Sequence, residues 1–271
     1  METALGLDPN GIYARDVLAD LAWSLGLFDL ARAQYGELMT LEPDPYSHPF
    51  LAAGKVSQYL EKAVVEGMER ALRPPRDARP EVVYRNLGSF YLQQERFADA
   101  IKAFENAERV SGRSYAQWRA YASTRMGDLK AAIPIYRSAL AADPLTPEER
   151  FHVLLSLGDL LETVGSRQEA AEVLRAALVL QSRNPQAVLL LGRVTEEMGL
   201  WDEAEELFVK GSEIGTDRIS GLANLVAFYR RSGKPSLALQ PARELIEANP
   251  GEPVYRKQLE DIEAEIDAAE R

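Results

Sequence analysis

Residues 158–250 read GDLLETVGSRQEAAEVLRAALVLQSRNPQAVLLLGRVTEEMGLWDEAEELFVKGSEIGTDRISGLANLVAFYRRSGKPSLALQPARELIEANP. Within them Gly165, Gly199 and Gly233 stand 34 residues apart, and Ala170, Ala204 and Ala238 repeat that interval. Leu157, Leu191 and Leu225 keep it too, as do Gly158 and Gly192. A fixed period of this size marks stacked supersecondary units, each too small to bury its hydrophobic face alone. In every unit a glycine separates two stretches with helical apolar spacing, which predicts two helices and a turn.

Working outward, three units fall in strict register at 151–184, 185–218 and 219–252. Downstream, 253–271 carries an apolar stripe of Tyr255, Leu259, Ile262 and Ile266 beside Glu260, Asp261, Glu263, Glu265 and Asp267. That pattern predicts a capping helix with its polar side outward, as an open array requires. Upstream, the unit at 81–114 is clear, with Tyr84, Leu87, Gly88 and Tyr91 on its first helix and Ala100, Phe104 and Ala107 on its second. The unit at 115–147 keeps Ala132, Tyr136, Ala139 and Pro144, with Pro134 early in its second helix. Its first helix, read from Trp118, Tyr121 and Ala122, sits two residues closer to the turn at Gly127.

The interval from Gly127 to Gly165 is 38, a four-residue insertion containing Thr146-Pro147-Glu148-Glu149. Thr at the N-cap, Pro at the first helical position and Glu three residues after the Thr predict a capping box. Residues 12–45 form a first full unit, with Leu18, Ala19, Ala22 and Trp23, then Gly26, then Leu30, Ala31, Tyr35 and Leu38, stopped by Pro43. Residues 46–80 read as a degenerate unit: Leu51–Leu72 suits a helix, and Pro45, Pro49, Pro74, Pro75 and Pro80 punctuate the region. Residues 1–11 read either as a leader or as the remnant of a preceding repeat. Ala4-Leu5 before Asp8-Pro9 has the spacing of Ala139-Leu140 before Asp143-Pro144.

The composition agrees with a helical array. Ala, Leu, Glu and Arg dominate, all good helix formers, and 46% hydrophobic content sustains a continuous core. A formal charge of -11 argues against an array that tracks a phosphate backbone. No apolar run approaches the ~20 residues that span a bilayer, which predicts no membrane insertion. METALGLDPNG lacks the basic start and apolar core of a signal peptide, and on that ground the expected compartment is cytoplasmic. With no cysteine, disulfides and thiolate chemistry are excluded.

The pattern W-x2-L-G-x2-Y, A-x3-F, A, P is that of the tetratricopeptide repeat, and this chain resembles it at several places. Tyr84-x2-Leu87-Gly88-x2-Tyr91 with Ala100-x3-Phe104-x2-Ala107 matches it, and so does Leu154-x2-Leu157-Gly158-x2-Leu161 with Ala170-x3-Leu174-x2-Ala177. Val188-x2-Leu191-Gly192 with Ala204-x3-Phe208 is a third match; the unit at 219–252 has Val226 in the small-residue place. The resemblance implies an all-α, right-handed superhelical solenoid of antiparallel helix pairs, closed by the C-terminal capping helix. The small residues Gly88, Gly158, Gly192, Ala100, Ala170 and Ala204 are expected to let paired helices approach closely. Tyr91, Phe104, Leu174 and Phe208 are expected to fill the seam with the next pair.

Nothing in the sequence points to catalysis, a cofactor or a metal. His48 and His152 lack ligand company at metal spacing. Gly54-Lys55 and Gly233-Lys234 lack both the preceding glycine and the following Ser/Thr of a phosphate loop. Glu196-Glu197 and Glu205-Glu206 read as solvated helix faces, and Trp23, Trp118 and Trp201 as packing residues.

The resemblance instead implies a concave groove lined by the first helix of each pair. Its candidate partner-binding residues are Arg85, Ser89, Gln93, Arg119, Asp159, Glu162, Arg193, Glu196 and Arg230. Family members that grip the carboxylate tail of chaperones use lysines and asparagines along this face. Here Arg85 and Ser89 stand at two such places, with no clear asparagine pair after them. The expected function is a non-catalytic scaffold that binds a protein or peptide of unknown identity, not nucleic acid. Two alternatives stand beside it: an accessory subunit or repeat region of a larger enzyme, assembly or secretion complex, and a helical-repeat RNA binder, which the acidic charge disfavours.

Overall fold

The computed structural model describes residues 11–74, 78–141 and 145–269. The readings made on residues 1–10, on Pro75 and on Asp143-Pro144 lie outside them. The described residues form helices and connecting turns, with no strand among them. The chain forms two compact units, Met1–Asp143 and Pro144–Arg271.

In the first unit, α1 (Ile12–Ser24) packs on α2 (Phe28–Leu41), α5 (Pro80–Gln93) on α6 (Phe97–Ser111), and α7 (Ala116–Arg125) on both α6 and α8 (Leu129–Ala141). Between α2 and α5 lie a 3-10 turn (Pro45–Ser47), the four-residue α3 (Pro49–Ala52) and α4 (Gln58–Ala71). The helix-compatible stretch from Leu51 to Leu72 is therefore two helices. Gly54, at φ 147, breaks it, and the Ser57 side chain caps α4 by accepting from the Leu60 N–H. Because α3 is only one turn long, α4 packs directly on α2.

The second unit is regular. Here α9 (Pro147–Thr163) pairs with α10 (Arg167–Leu180), α11 (Pro185–Glu197) with α12 (Trp201–Ser212), and α13 (Arg218–Arg231) with α14 (Pro235–Ala248). Each pair packs on the next, and α15 (Pro253–Ala269) packs on α14. The first helices also touch one another, α9 with α11 and α11 with α13. The four extra residues of the insertion lengthen α9 by one turn at its start: it has 17 residues where α11 has 13.

The recurrent glycine has a backbone cause. At Gly165 the chain turns left-handed (φ 78), and the next N–H, of Ser166, reaches back to the Leu161 carbonyl at 2.8 Å. This Schellman closure satisfies carbonyls that the helix end would otherwise leave bare. It recurs as Leu27 to Ala22, Asp128 to Ser123, Leu200 to Thr195 and Lys234 to Tyr229. In the pair α5/α6 the left-handed place is held by Glu95 (φ 60), whose carboxylate meets Lys55 on one side and Arg125 on the other.

The turn also fixes the register of α7. Counting back from Gly127, the small-residue place holds Ala120 and the next core place Ser123, both buried. Trp118 and Tyr121 are 45% and 40% exposed, with Trp118 stacked on Phe104 at the seam. Reading that helix from its aromatics shifted it by two residues; the alanines, with less apolar signal, carry its core face.

Inside each pair the glycine is covered by the large residue of the second helix. A Cβ added at Gly88 would lie 2.6 Å from Phe104 Cε1, at Gly158 2.5 Å from Leu174 Cδ2, and at Gly192 3.0 Å from Phe208 Cε1. The same rings reach onward: Phe104 stacks on Tyr115, at the start of α7, with ring centroids 5.9 Å apart, and Phe208 meets Phe228 of α13 in a tilted contact at 5.1 Å. One side chain thus fills both the pair and the seam. The tightest backbone contacts lie elsewhere, outside the 34-residue pattern. A Cβ at Gly67 would sit 2.3 Å from the Gly36 carbonyl oxygen, where α4 crosses α2, and one at Gly221 2.3 Å from the Gly211 carbonyl oxygen, where α13 crosses α12.

The start of α9 is a capping box. The Thr146 hydroxyl accepts from the Glu149 N–H at 3.2 Å, and the Glu149 carboxylate accepts from the Thr146 N–H at 2.8 Å, with Pro147 at the first helical position. Thr146→Ala is expected to lower stability by about 1 kcal/mol, read as a lower melting temperature. The Thr146 backbone and hydroxyl hold the Glu149 carboxyl below the ordinary carboxylate range. That stabilisation is present above the ordinary carboxylate pKa and lost as pH falls through the depressed value. The gap between Thr146→Ala and wild type should therefore narrow in acid.

Candidate functional site

The first helices of the second unit form one wall, and along it the candidate residues are brought together in part. Asp159 and Arg193 line a single concavity of about 300 Å³ with Gln186, Leu189, Asp217 and Asn224. Glu162, one turn along α9 from Asp159, holds Arg193 through a 3.3 Å ion pair. Asp159 is exposed.

Two other candidates are turned to neighbouring repeats. Glu196, with 11% of its side chain exposed, takes a two-pronged contact from Arg231 at 2.7 and 2.8 Å. Arg230 pairs with Glu265 on α15. The Arg230 hydrogen bond holds the Glu265 carboxyl below its ordinary range against the opposing effect of burial. These links join helices about one repeat apart, so their charges act first within the array. Both members of the Glu196–Arg231 pair are fixed in a planar fork, a geometry that arginine forms and lysine does not.

In the first unit the candidates do not converge. Arg85 is exposed beside Asn86, whose Nδ2 donates to the Pro43 carbonyl at 2.8 Å. Ser89 is half-buried. Gln93 donates to the Leu51 and Ala52 carbonyls at 3.2 Å, tying α5 to the end of α3. Arg119 lies against α6, reaching Glu105 and Glu108 at 2.9 Å each.

Sequence reasoning missed Gln186, Leu189, Asp217 and Asn224. Leu189 and Gln186 precede Arg193 by four and seven residues on one helical face, a spacing that could have found them. Asp217 comes from the 3-10 turn Gly215–Asp217 before α13, and no period marks it. Of the two histidines, His48 is buried with its Nδ1 3.0 Å from Asp16, and His152 is exposed. Among the described residues no cluster of three or more His, Cys, Asp or Glu could hold a metal ion. None of the described helices is long and apolar enough to cross a membrane.

Residues 85–147 and 155–210 match the sequence model of the tetratricopeptide repeat. The chain carries tetratricopeptide repeats. Solved structures place the same architecture beside it. A MamA chain from Desulfovibrio magneticus RS-1, residue 41 to the end, superposes with a TM-score of 0.56 at 17% identity, covering 63% of this chain and 95% of its own. YrrB, described as a tetratricopeptide protein with an unusual peptide-binding site, gives a TM-score of 0.55 at 17% identity over 71% of this chain and 97% of its own. A second MamA structure gives 0.53 at 20% identity over 62% of this chain and 91% of its own. At such identity the likeness is one of fold. No curated protein matches the chain in sequence. Within the tetratricopeptide frame, the wall of α9, α11 and α13 is the run of first helices.

Proposed function

We propose that this chain is a non-catalytic tetratricopeptide scaffold, with repeats at 12–45, 46–80, 81–114, 115–147, 151–184, 185–218 and 219–252. Its second unit holds an extended segment of a partner protein that carries a Lys or Arg. The observation that carries this reading is the concavity on α9, α11 and α13. It contains Asp159 and Asp217, while its one cation, Arg193, is already held by Glu162. Two carboxylates remain to receive a cation, Leu189 offers apolar contact, and Gln186 and Asn224 offer amides to a peptide backbone. An overall charge of -11 steers basic segments toward it and phosphate backbones away.

The test is selection from a random peptide display library with the full chain, followed by titration of the enriched peptides. Enriched sequences should carry Lys or Arg, and Asp159→Lys/Asp217→Lys should bind them at least about ten-fold more weakly, a loss of roughly 1.4 kcal/mol. Equal binding by that variant, or enrichment of acidic peptides, refutes the assignment. Arg193 and Arg230 are poor positions for such a test, because both anchor ion pairs within the array.

A further inference from the structure

Asp159 and Arg193 occupy the same place in successive repeats, six residues before the left-handed turn glycines Gly165 and Gly199. They stand on helices that touch, α9 and α11, and line one concavity. Opposite charges so placed would ordinarily pair. Arg193 turns instead to Glu162, one turn further along α9, at 3.3 Å. Among the described residues no ion pair reaches Asp159, so its carboxylate stays uncommitted.

Asp217 is uncommitted for a different reason. It stands at the N-cap of α13, where an aspartate ordinarily accepts from a backbone N–H of the first turn, yet its side chain makes no such bond. At the starts of α9 and α11 the corresponding residues do cap: Thr146 accepts from the Glu149 N–H, and Asn184 from the Ala187 N–H at 3.1 Å.

We propose that Glu162 is the positioning residue of this concavity: by holding Arg193 it keeps Asp159 open to the cation of a partner segment. The role rests on the concavity being the partner site. Two observations support it. First, the Glu162 side chain is 20% exposed and that of Arg193 49%, whereas Asp159 is exposed. A carboxylate partly shielded from water attracts a guanidinium more strongly than an exposed one, because solvent and salt screen it less. Glu162 therefore outcompetes Asp159 for the cation they share.

Second, the place of Glu162, three residues before the turn glycine, does the same at the next seam. Glu196 stands three residues before Gly199 and takes Arg231 of the following first helix. At that seam the places corresponding to Asp159 hold Arg193 and Ala227, so no carboxylate is kept open there. Only between α9 and α11 does the pairing decide the charge of the wall. If Glu162 loses its charge, Arg193 is left with Asp159. A partner's Lys or Arg then competes with an internal guanidinium, and an acidic segment meets a cation that is no longer neutralised.

Titration of the full chain with a Lys-containing peptide from the display selection, and with its Lys→Glu counterpart, tests this. Glu162→Gln is expected to bind the Lys peptide about three- to five-fold more weakly, the range that partly exposed ion pairs supply. It should bind the Glu counterpart more tightly, whereas a merely structural defect would weaken both. Glu197→Gln removes an equal charge from a pair of the same kind, with Arg167 at 2.6 Å and outside the concavity, and should change neither. Adding Arg193→Gln to Glu162→Gln should restore Lys-peptide binding to at least the wild-type level, since no internal cation then occupies Asp159. A wild-type chain that enriches no basic peptide refutes the partner site and this role with it. A wild type that binds the Lys peptide beside a Glu162→Gln chain that binds it equally well overturns the role of Glu162 alone. So does a double variant no better than Glu162→Gln.

Discussion

Gly221→Ala is expected to destabilise the second unit more than any other single methyl addition at a glycine there. The new Cβ would stand 2.3 Å from the Gly211 carbonyl oxygen, 2.5 Å from its carbon and 2.7 Å from Ser212 Cα, all backbone atoms of α12. No rotamer change relieves a backbone clash, so α12 and α13 must part along their whole contact. Overpacking typically costs about 1–3 kcal/mol, and this case belongs at the upper end. The better helix propensity of alanine offsets roughly 1 kcal/mol of it, leaving a net loss of about 2 kcal/mol. For a unit of this size that lowers the melting temperature by several degrees, on the order of 5–10 °C. Calorimetry or amide exchange in α12 and α13 reads the effect, and unchanged protection in both helices would refute the contact.

The second large effect is at Phe208. Its ring covers Gly192 within its own pair and meets Phe228 of the next, and the residue is fully buried. Phe208→Ala should cost about 3–5 kcal/mol, the usual range for removing a buried aromatic. Gly192→Leu alone should cost about 1–3 kcal/mol, since the added side chain enters the place of the Phe208 ring. Combined, the two are expected to be less harmful than their sum by roughly 0.5–3 kcal/mol, because the leucine then occupies the space the ring left. Strict additivity in a denaturation cycle would show that Gly192 and Phe208 do not share one space.

How much of this was legible in the sequence depends on the range of the interaction. Gly165, Gly199 and Gly233 announced the turns because the Schellman closure involves only residues five apart. The capping box at Thr146 was legible for the same reason. Glu95 was invisible as a turn residue, since a glutamate seldom takes the left-handed conformation, although the same closure forms there, from the Arg96 N–H to the Tyr91 carbonyl at 2.8 Å. The register of α7 was misread because exposed aromatics outweighed buried alanines in the apolar pattern. Among the candidate site residues, Asp159 and Arg193 meet in one concavity, whereas Glu196, Arg230 and Arg119 are held by Arg231, Glu265 and the α6 carboxylates. Choosing among such partners requires the crossing geometry of the helices, which the spacing of residues along one helix does not contain.

The sequence by itself determined the repeated helix pairs, their turns and their caps, because each is set by backbone conformation and by side chains within about two turns of one another. The tertiary structure decided where backbones come closest, at Gly36–Gly67 and Gly211–Gly221. It also decided which of the candidate charges are already paired, as Glu196 is with Arg231 and Arg230 with Glu265. Those outcomes depend on how one helix lies across another, and a glycine, an arginine or a leucine reads the same in the chain whether its neighbour is a backbone, a carboxylate or water.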